Sequence, residues 1–282
     1  MSTASPLGLR EALREARAAK RALLAVNFYN AETLRGVLEA ASDLGQPVIL
    51  QLSRASLDYL GLPVAYAMAR AGIAHHGVRA WIHLDHAARV DLVRACLDQG
   101  FDSVMIDASE QGLEENIAAS RQVVGLARAT GANVEAELGF VAKLGQAPDP
   151  GGMTDPDQAE RFVRETGIDA LAVSIGTAHG FYKAEPRLDM DRLSRISARV
   201  GAPLVLHGGS GISGAQVREA VRRGICKVNV ATESKNAFVR GVRRELEGTS
   251  SIDIRDIFPP AIRDVKELVA GKLAMLLEDA DA

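Results

Sequence analysis

RAWIHLDHAARVDLVRACLDQGFDSVMIDA (79–108) contains the unit from which the rest of the chain is built. RAWIHLDHA (79–87) is a largely apolar run of strand length. RVDLVRACLDQG (89–100) returns apolar side chains near a 3.6-residue period, as the buried stripe of a helix does, and stops at Gly100. SVMIDA (103–108) is apolar again. Strands covered on both faces lose the polar–apolar alternation of half-exposed ones. A unit of this kind therefore belongs to a parallel sheet with helices packed outside it.

The same beat runs outward in both directions. ALLAVNFY (22–29) and PVILQLS (47–53) precede the unit. NVEAELG (133–139), ALAVSIG (170–176), PLVLHGG (203–209) and KVNVAT (227–232) follow it. Helical stretches such as AETLRGVLEAASDLG, LEENIAASRQVVGLARATG and GAQVREAVRRG lie between the runs. Gly45, Gly72, Gly100, Gly131, Gly167, Gly201 and Gly224 are expected at helix ends, where glycine relieves a left-handed backbone. Eight strand–helix units predict an α/β fold, a (β/α)8 TIM barrel forming a single domain over 1–282. An extra N-terminal helix is expected over 7–20 and a C-terminal helix over 260–278. A doubly wound open sheet is the alternative, but no G-x-G-x-x-G turn follows the first strand.

Composition narrows the function. A net charge of −3 without a basic block favours neither nucleic acid nor an anionic membrane. No leader-like apolar segment or membrane span is visible, and Cys96 and Cys226 stand far apart, as buried thiols do. A cytoplasmic location is expected.

In a (β/α)8 barrel the active site forms at the C-terminal ends of the strands. Nearly every strand here places a polar group there. These are Asn27, Ser53, Asp85 with His86, Asp107, Glu137, His179 after the sixth strand, His207, and Asn229 with Thr232. Any one histidine alone would ordinarily be a hydrogen-bonded structural residue. His86, His179 and His207 together, at the ends of three strands, describe a three-imidazole site with an open position, as for catalytic Zn²⁺. His75 and His76 fall at the opposite rim and read as surface residues. His83 shares a strand face with Asp85 and is either a support for the site or a packed barrel histidine. HGGSG (207–211) and NVATES (229–234) follow strands seven and eight, where barrels bind phosphate.

HLDHA, VEAELG, GTAHG, PLVLHGGSG and KVNVAT resemble, in order and spacing, the class II aldolases. That family includes fructose-bisphosphate and tagatose-bisphosphate aldolases, and the resemblance runs from VNFYNAETL (26–34) to the C-terminal helix. It implies that His86, His179 and His207 bind one catalytic Zn²⁺ per chain, and that Asp85 exchanges a proton with the substrate hydroxyl. Glu137 would hold the metal in an alternative resting position, with the deeper Glu135 the less favoured candidate. Gly180, Gly208, Gly209, Ser210 and the Asn229, Ala231, Thr232 segment would hold the dihydroxyacetone-phosphate half, and Asn27 and Ser53 would touch substrate. A monovalent cation (Na⁺ or K⁺) near the Gly180 and Gly208 backbone, and a homodimer or homotetramer, are further implications.

The chain departs from the family's pattern at three places. Ala87 replaces a second histidine after His86, and Asp107-Ala108-Ser109-Glu110 replaces D-G-S-H. The segment 139–156 contains no Glu, where relatives carry the base that takes a proton from dihydroxyacetone phosphate. Either Asp149 substitutes, or another group is the base, or the substrate differs. A lysine Schiff base is not expected, since ALAVSIG holds no lysine and Lys227 starts the eighth strand at the wrong end. Lys183 reads as a solvated side chain. The expected activity is reversible cleavage of a ketose (bis)phosphate to dihydroxyacetone phosphate and an aldehyde through a metal-stabilised enediolate. Another metal-dependent sugar-phosphate lyase or isomerase, and a barrel that binds sugar phosphate without turnover, are the alternatives.

Overall fold

Eight parallel strands hydrogen-bond in chain order, and the last closes onto the first. They are β1 (Leu23–Asn27), β2 (Val48–Ser53), β3 (Ala80–Ala87), β4 (Ser103–Ile106), β5 (Asn133–Leu138), β6 (Ala170–Val173), β7 (Leu204–Leu206) and β8 (Ile225–Val230). The computed structural model describes residues 7–141, 152–182 and 186–277. The helices are α1 (Leu9–Ala18), α2 (Ala31–Asp43), α3 (Arg54–Leu60), α4 (Leu62–His76), α5 (Val90–Gln99), α6 (Leu113–Ala127), α7 (Pro156–Thr166), α8 (Met190–Arg199), α9 (Gly214–Arg222), α10 (Thr232–Gly248) and α11 (Ile254–Leu277). The expected (β/α)8 barrel is the fold. None of the described helices is long and apolar enough to cross a membrane.

Two apolar layers build it. The outward strand faces, with residues such as Val26, Leu50, Ile82 and Val104, pack under the helix stripes of Leu38, Val93, Val123 and Leu193. The inward faces form a separate cluster low in the barrel from Ala25, Ile49, Trp81, Met105, Ala172, Val205 and Cys226. α1 caps that cluster with Leu9, Ala12, Leu13 and Ala16, so the extra N-terminal helix plugs the N-terminal mouth. Its arginines fasten it. Arg10 pairs with Asp169 at 2.6 Å, and Arg17 donates to the carbonyls of Val200 and Ala202 at 2.6 and 2.9 Å.

Helix ends follow local chemistry. The Asn30 side chain accepts from Thr33 N at 2.9 Å while Thr33 Oγ1 accepts from Asn30 N at 3.2 Å, a reciprocal cap for α2. The expected glycine stop at Gly72 is corrected. Gly72 lies inside α4, and a Cβ there would come within 2.7 Å of Leu38 Cδ1, so glycine lets α4 lie close on α2. α4 ends instead at left-handed Gly77 (φ 61°). The C-terminal helix also begins earlier than 260, at Ile254, and carries Pro259 and Pro260 within it.

Two irregularities in strand register matter for function. Between β3 and β4 the pairing slips between Leu84 and Ala87, and within that slip His86 adopts a left-handed backbone (φ 47°). Between β7 and β8 the pairing slips where Leu204 faces Ile225 and Val205 faces Lys227, leaving Cys226 as the extra residue.

The α1 plug makes a stability prediction. Leu13 is fully buried, and Leu13→Ala should lower unfolding stability by about 2–5 kcal/mol in urea denaturation. A change under about 0.5 kcal/mol, the range of neutral surface changes, would mean that the mouth is sealed without α1.

Candidate active site

Successive strand residues point to opposite faces, so Asp85 and His86 should not share one. The β3 slip with left-handed His86 resolves this, because one extra residue in the strand turns both side chains toward the same rim. Histidine tolerates this backbone region better than β-branched or bulky residues do.

From there the site assembles around three imidazoles. His86 Nδ1 lies 2.8 Å from Asp107 Oδ2, just past β4, and its Nε2 lies 2.8 Å from His207 Nδ1. His207 follows β7, and its Nε2 lies 2.8 Å from Glu135 Oε1 on β5. His179 joins from the loop after β6, with ring centroids 4.9 Å from His86 and 6.0 Å from His207. Tyr182 fixes that loop. Its hydroxyl accepts from Ala178 N at 2.8 Å and donates to Gly208 O at 2.9 Å.

The donor set fits a divalent metal. One nitrogen each of His86, His179 and His207 lies within 4.8 Å of the others. For His86 and His207 the outer nitrogen donates to a carboxylate, which leaves the inner nitrogens with lone pairs facing one another. Two lone pairs at 2.8 Å require a cation between them, either a proton or a metal. Buried Asp85 Oδ1, Glu137 Oε2 and Asn229 Oδ1 have no hydrogen-bond partner among the described residues. A second group, His86, Asp107 and Glu137, also lies within 4.8 Å, so Glu137 shares His86 with the first.

A small cavity opens beside the imidazoles. Asn27, Asp85, His179 and His207 border it on one side, and Gly180, Gly208, Ser210, Asn229, Ala231 and Thr232 on the other. A Cβ on left-handed Gly208 would lie 2.5 Å from Ala178 O, so only glycine lets these two loops meet. The sequence profile of the class II fructose-bisphosphate aldolases matches residues 8–280.

The chain belongs to the class II aldolase family. Two relatives are fructose-bisphosphate aldolases. The one from Geobacillus stearothermophilus is 39% identical over 277 residues, 95% of this chain and 96% of its own. The one from Giardia intestinalis is 35% identical, over 94% and 91%. Among solved structures, the YdjI aldolase of Escherichia coli K12 superposes with a TM-score of 0.86 at 32% identity, covering 96% and 97% of the two chains. Membership makes the chain an enzyme of the metal-dependent, carbon–carbon-cleaving class.

The electrostatics of this aldolase site follow from burial set against pairing. Burial pushes Asp85 up, but His86, His207 and the hydrogen bond from Asn27 outweigh it and hold the carboxyl at about 2. Burial would lower His86, yet Asp85, Asp107 and Glu137 carry it up to about 10. Burial and the charge of His86 press His179 down to about 3 and also lower His207. Burial raises Glu137 to about 8.

Several residues stand elsewhere than the sequence suggested. Ser53 caps α3, its Oγ accepting from Ser56 N at 3.3 Å, and does not border the cavity. Gly209 packs behind the rim, donating to Asn229 O at 3.0 Å. Lys227 was set aside as lying at the wrong end of its strand, but its ammonium reaches Glu135 inside the barrel at 2.6 Å. His83 does not touch the three imidazoles through a hydrogen bond. It bonds Ser103 at 2.7 Å and Lys227 at 3.1 Å. Gln51 was missed. Its Nε2 donates to Asn27 Oδ1 at 2.9 Å, and Asn27 Nδ2 donates to Asp85 Oδ2 at 2.9 Å. A polar residue one strand period before Ser53 was the available signal. Asp149 and Lys183 lie outside the described residues.

Asp107→Ala removes the acceptor of His86 Nδ1. It should weaken divalent-metal binding by roughly 10–100-fold in a chelator competition. Unchanged affinity would show that His86 needs no outer partner.

Proposed function

We propose that the chain is a zinc-dependent aldolase that reversibly cleaves a ketose phosphate or bisphosphate to dihydroxyacetone phosphate and an aldehyde through an enediolate. One observation carries this reading: the three converging imidazoles border the same cavity as Asp85 and a glycine-rich rim. His86, His179 and His207 would hold the metal, with Glu137 as an alternative ligand through His86. A divalent metal there supplies Lewis-acid chemistry, drawing electron density from the carbonyl beside the bond that breaks.

The protein's own groups act on the hydroxyl proton and on the phosphate. Asp85, kept ionised and aimed by Asn27 and Gln51, takes the proton from the substrate hydroxyl on cleavage and returns it to the aldehyde oxygen on condensation. The backbone of Gly180 and Gly208 and the Ser210 hydroxyl border an anion site, with Gly209 supporting it. The N-cap residue of α10, Ala231, offers no side-chain cap, and Glu233 N donates to Ser210 Oγ at 3.3 Å, so the Ser210 hydroxyl sits at the positive end of the helix dipole, which favours a phosphate there. Asn229 and Ala231 complete that wall. Ser53 would meet substrate only at the outer rim. A monovalent cation, Na⁺ or K⁺, belongs to the same reading, supported by buried Thr177 Oγ1, which has no hydrogen-bond partner among the described residues. So do a cytoplasmic location and a homodimer or homotetramer, the latter supported by exposed Ile252 just ahead of α11 and exposed Ile254 at its start.

Zinc-loaded protein should release dihydroxyacetone phosphate from one of fructose 1,6-bisphosphate, tagatose 1,6-bisphosphate, fructose 1-phosphate or 5-dehydro-2-deoxygluconate 6-phosphate, and EDTA should abolish release. Asp85→Asn should lower kcat by ~10²–10⁴-fold while zinc content stays at that of the unaltered protein. Cleavage that survives full metal removal would sink the zinc reading, and undiminished turnover in Asp85→Asn would remove Asp85 from the proton transfer.

A further inference from the structure

Beneath the imidazoles, in a layer that the proposed mechanism does not use, lie Lys227, Glu135 and His83, all fully buried. An ammonium and a carboxylate enclosed in a barrel are tolerated only when they pair with good geometry. Lys227 Nζ donates to Glu135 Oε2 at 2.6 Å and to His83 Nε2 at 3.1 Å. The acceptance at Nε2 leaves the His83 proton on Nδ1, which donates to Ser103 Oγ at 2.7 Å. Asn133 Nδ2 holds the same hydroxyl at 3.0 Å. The lysine is thus fixed from one side by His83, itself fixed by β4 and β5.

On its other side Lys227 engages only one oxygen of Glu135. The second, Oε1, faces His207 Nε2 at 2.8 Å. An imidazole that donates at Nε2 presents its lone pair at Nδ1, and His207 Nδ1 is the atom turned toward His86. The β7–β8 slip enables this arrangement. The extra Cys226 joins the low apolar cluster, and Lys227 too is directed into the barrel.

We propose that Lys227 is a positioning residue for the metal site: it holds one oxygen of Glu135 so that the other receives the His207 Nε2–H, which aims His207 Nδ1 at the metal. This rests on the reading of His207 as a metal ligand. Lys227 touches neither metal nor substrate. Without it, Glu135 is free to turn, and His207 loses its fixed tautomer.

The test is zinc affinity of the purified full-length protein by chelator competition, with the visible spectrum of the cobalt(II)-loaded form as a second readout of ligand geometry. Lys227→Met should weaken zinc binding by roughly 10–100-fold and alter the cobalt spectrum. Glu135→Gln should do the same. The double variant should be no weaker than Glu135→Gln alone, since the lysine acts through the glutamate. Zinc binding and a cobalt spectrum in Lys227→Met equal to the unaltered protein's, or independent losses in the double variant, overturn the proposal. If Lys227→Met does not fold, nitrogen-15 histidine NMR of the unaltered zinc-loaded protein decides instead. His83 protonated at Nδ1 and His207 at Nε2 support the proposal, and the opposite tautomer at either overturns it. Unaltered protein that binds no zinc overturns the metal reading itself, an outcome distinct from the others.

Discussion

Charge enclosed in a closed barrel has to be answered by charge, and the interior of this protein is arranged by that constraint. Low in the barrel there is none to answer: α1 seals a layer of Ile49, Trp81, Met105 and Val205. One level up, Lys227 and Glu135 satisfy each other, with His83 and Ser103 taking the remaining donor positions. At the rim the balance is left open. Asp85 Oδ1 and Glu137 Oε2 are buried without hydrogen-bond partners among the described residues, and the inner nitrogens of His86 and His207 converge at 2.8 Å. Polarity rises along the barrel axis from apolar to paired to unpaired, and the unpaired layer is where a metal and a substrate complete the set.

Much of this was legible in the sequence because the signals are local and repeated. Strands buried on both faces leave apolar runs, and eight runs with helices between them close a barrel. Residues at strand ends converge on one rim whatever their side chains do in detail. Every residue bordering the cavity had accordingly been named from its place in the order. The gaps are equally physical. Nothing in HLDHA announces that His86 is left-handed, because a register slip depends on the neighbouring strand. The ion pair of Lys227 is not visible in the sequence because position along a strand is read at the backbone, whereas the side chain extends to Glu135 on β5. Gly72 looked like a stop and is a close-packing site, a distinction set by Leu38 on another helix.

The two halves of the site differ in how firmly the fold specifies them. The imidazole side is built on strand ends and held by outer partners: Asp107 for His86, Glu135 for His207, Tyr182 for the His179 loop. Residues 142–151 after β5, within the stretch where the sequence lacks the family's Glu, lie outside the described residues. The stem of that stretch is tied. Thr154 Oγ1 donates to Leu138 O and accepts from Ser174 N at 2.8 Å, Phe140 N donates to Gly152 O at 2.6 Å, and Ser174 Oγ donates to Phe140 O at 2.8 Å.

That clasp separates two kinds of inheritance. With both ends of the segment pinned by β5 and β6, the cost of closing it grows only slowly with its length. Residues between the pins can be exchanged, lengthened or shortened while the catalytic rim stays as it is. A change in this segment therefore needs no new barrel.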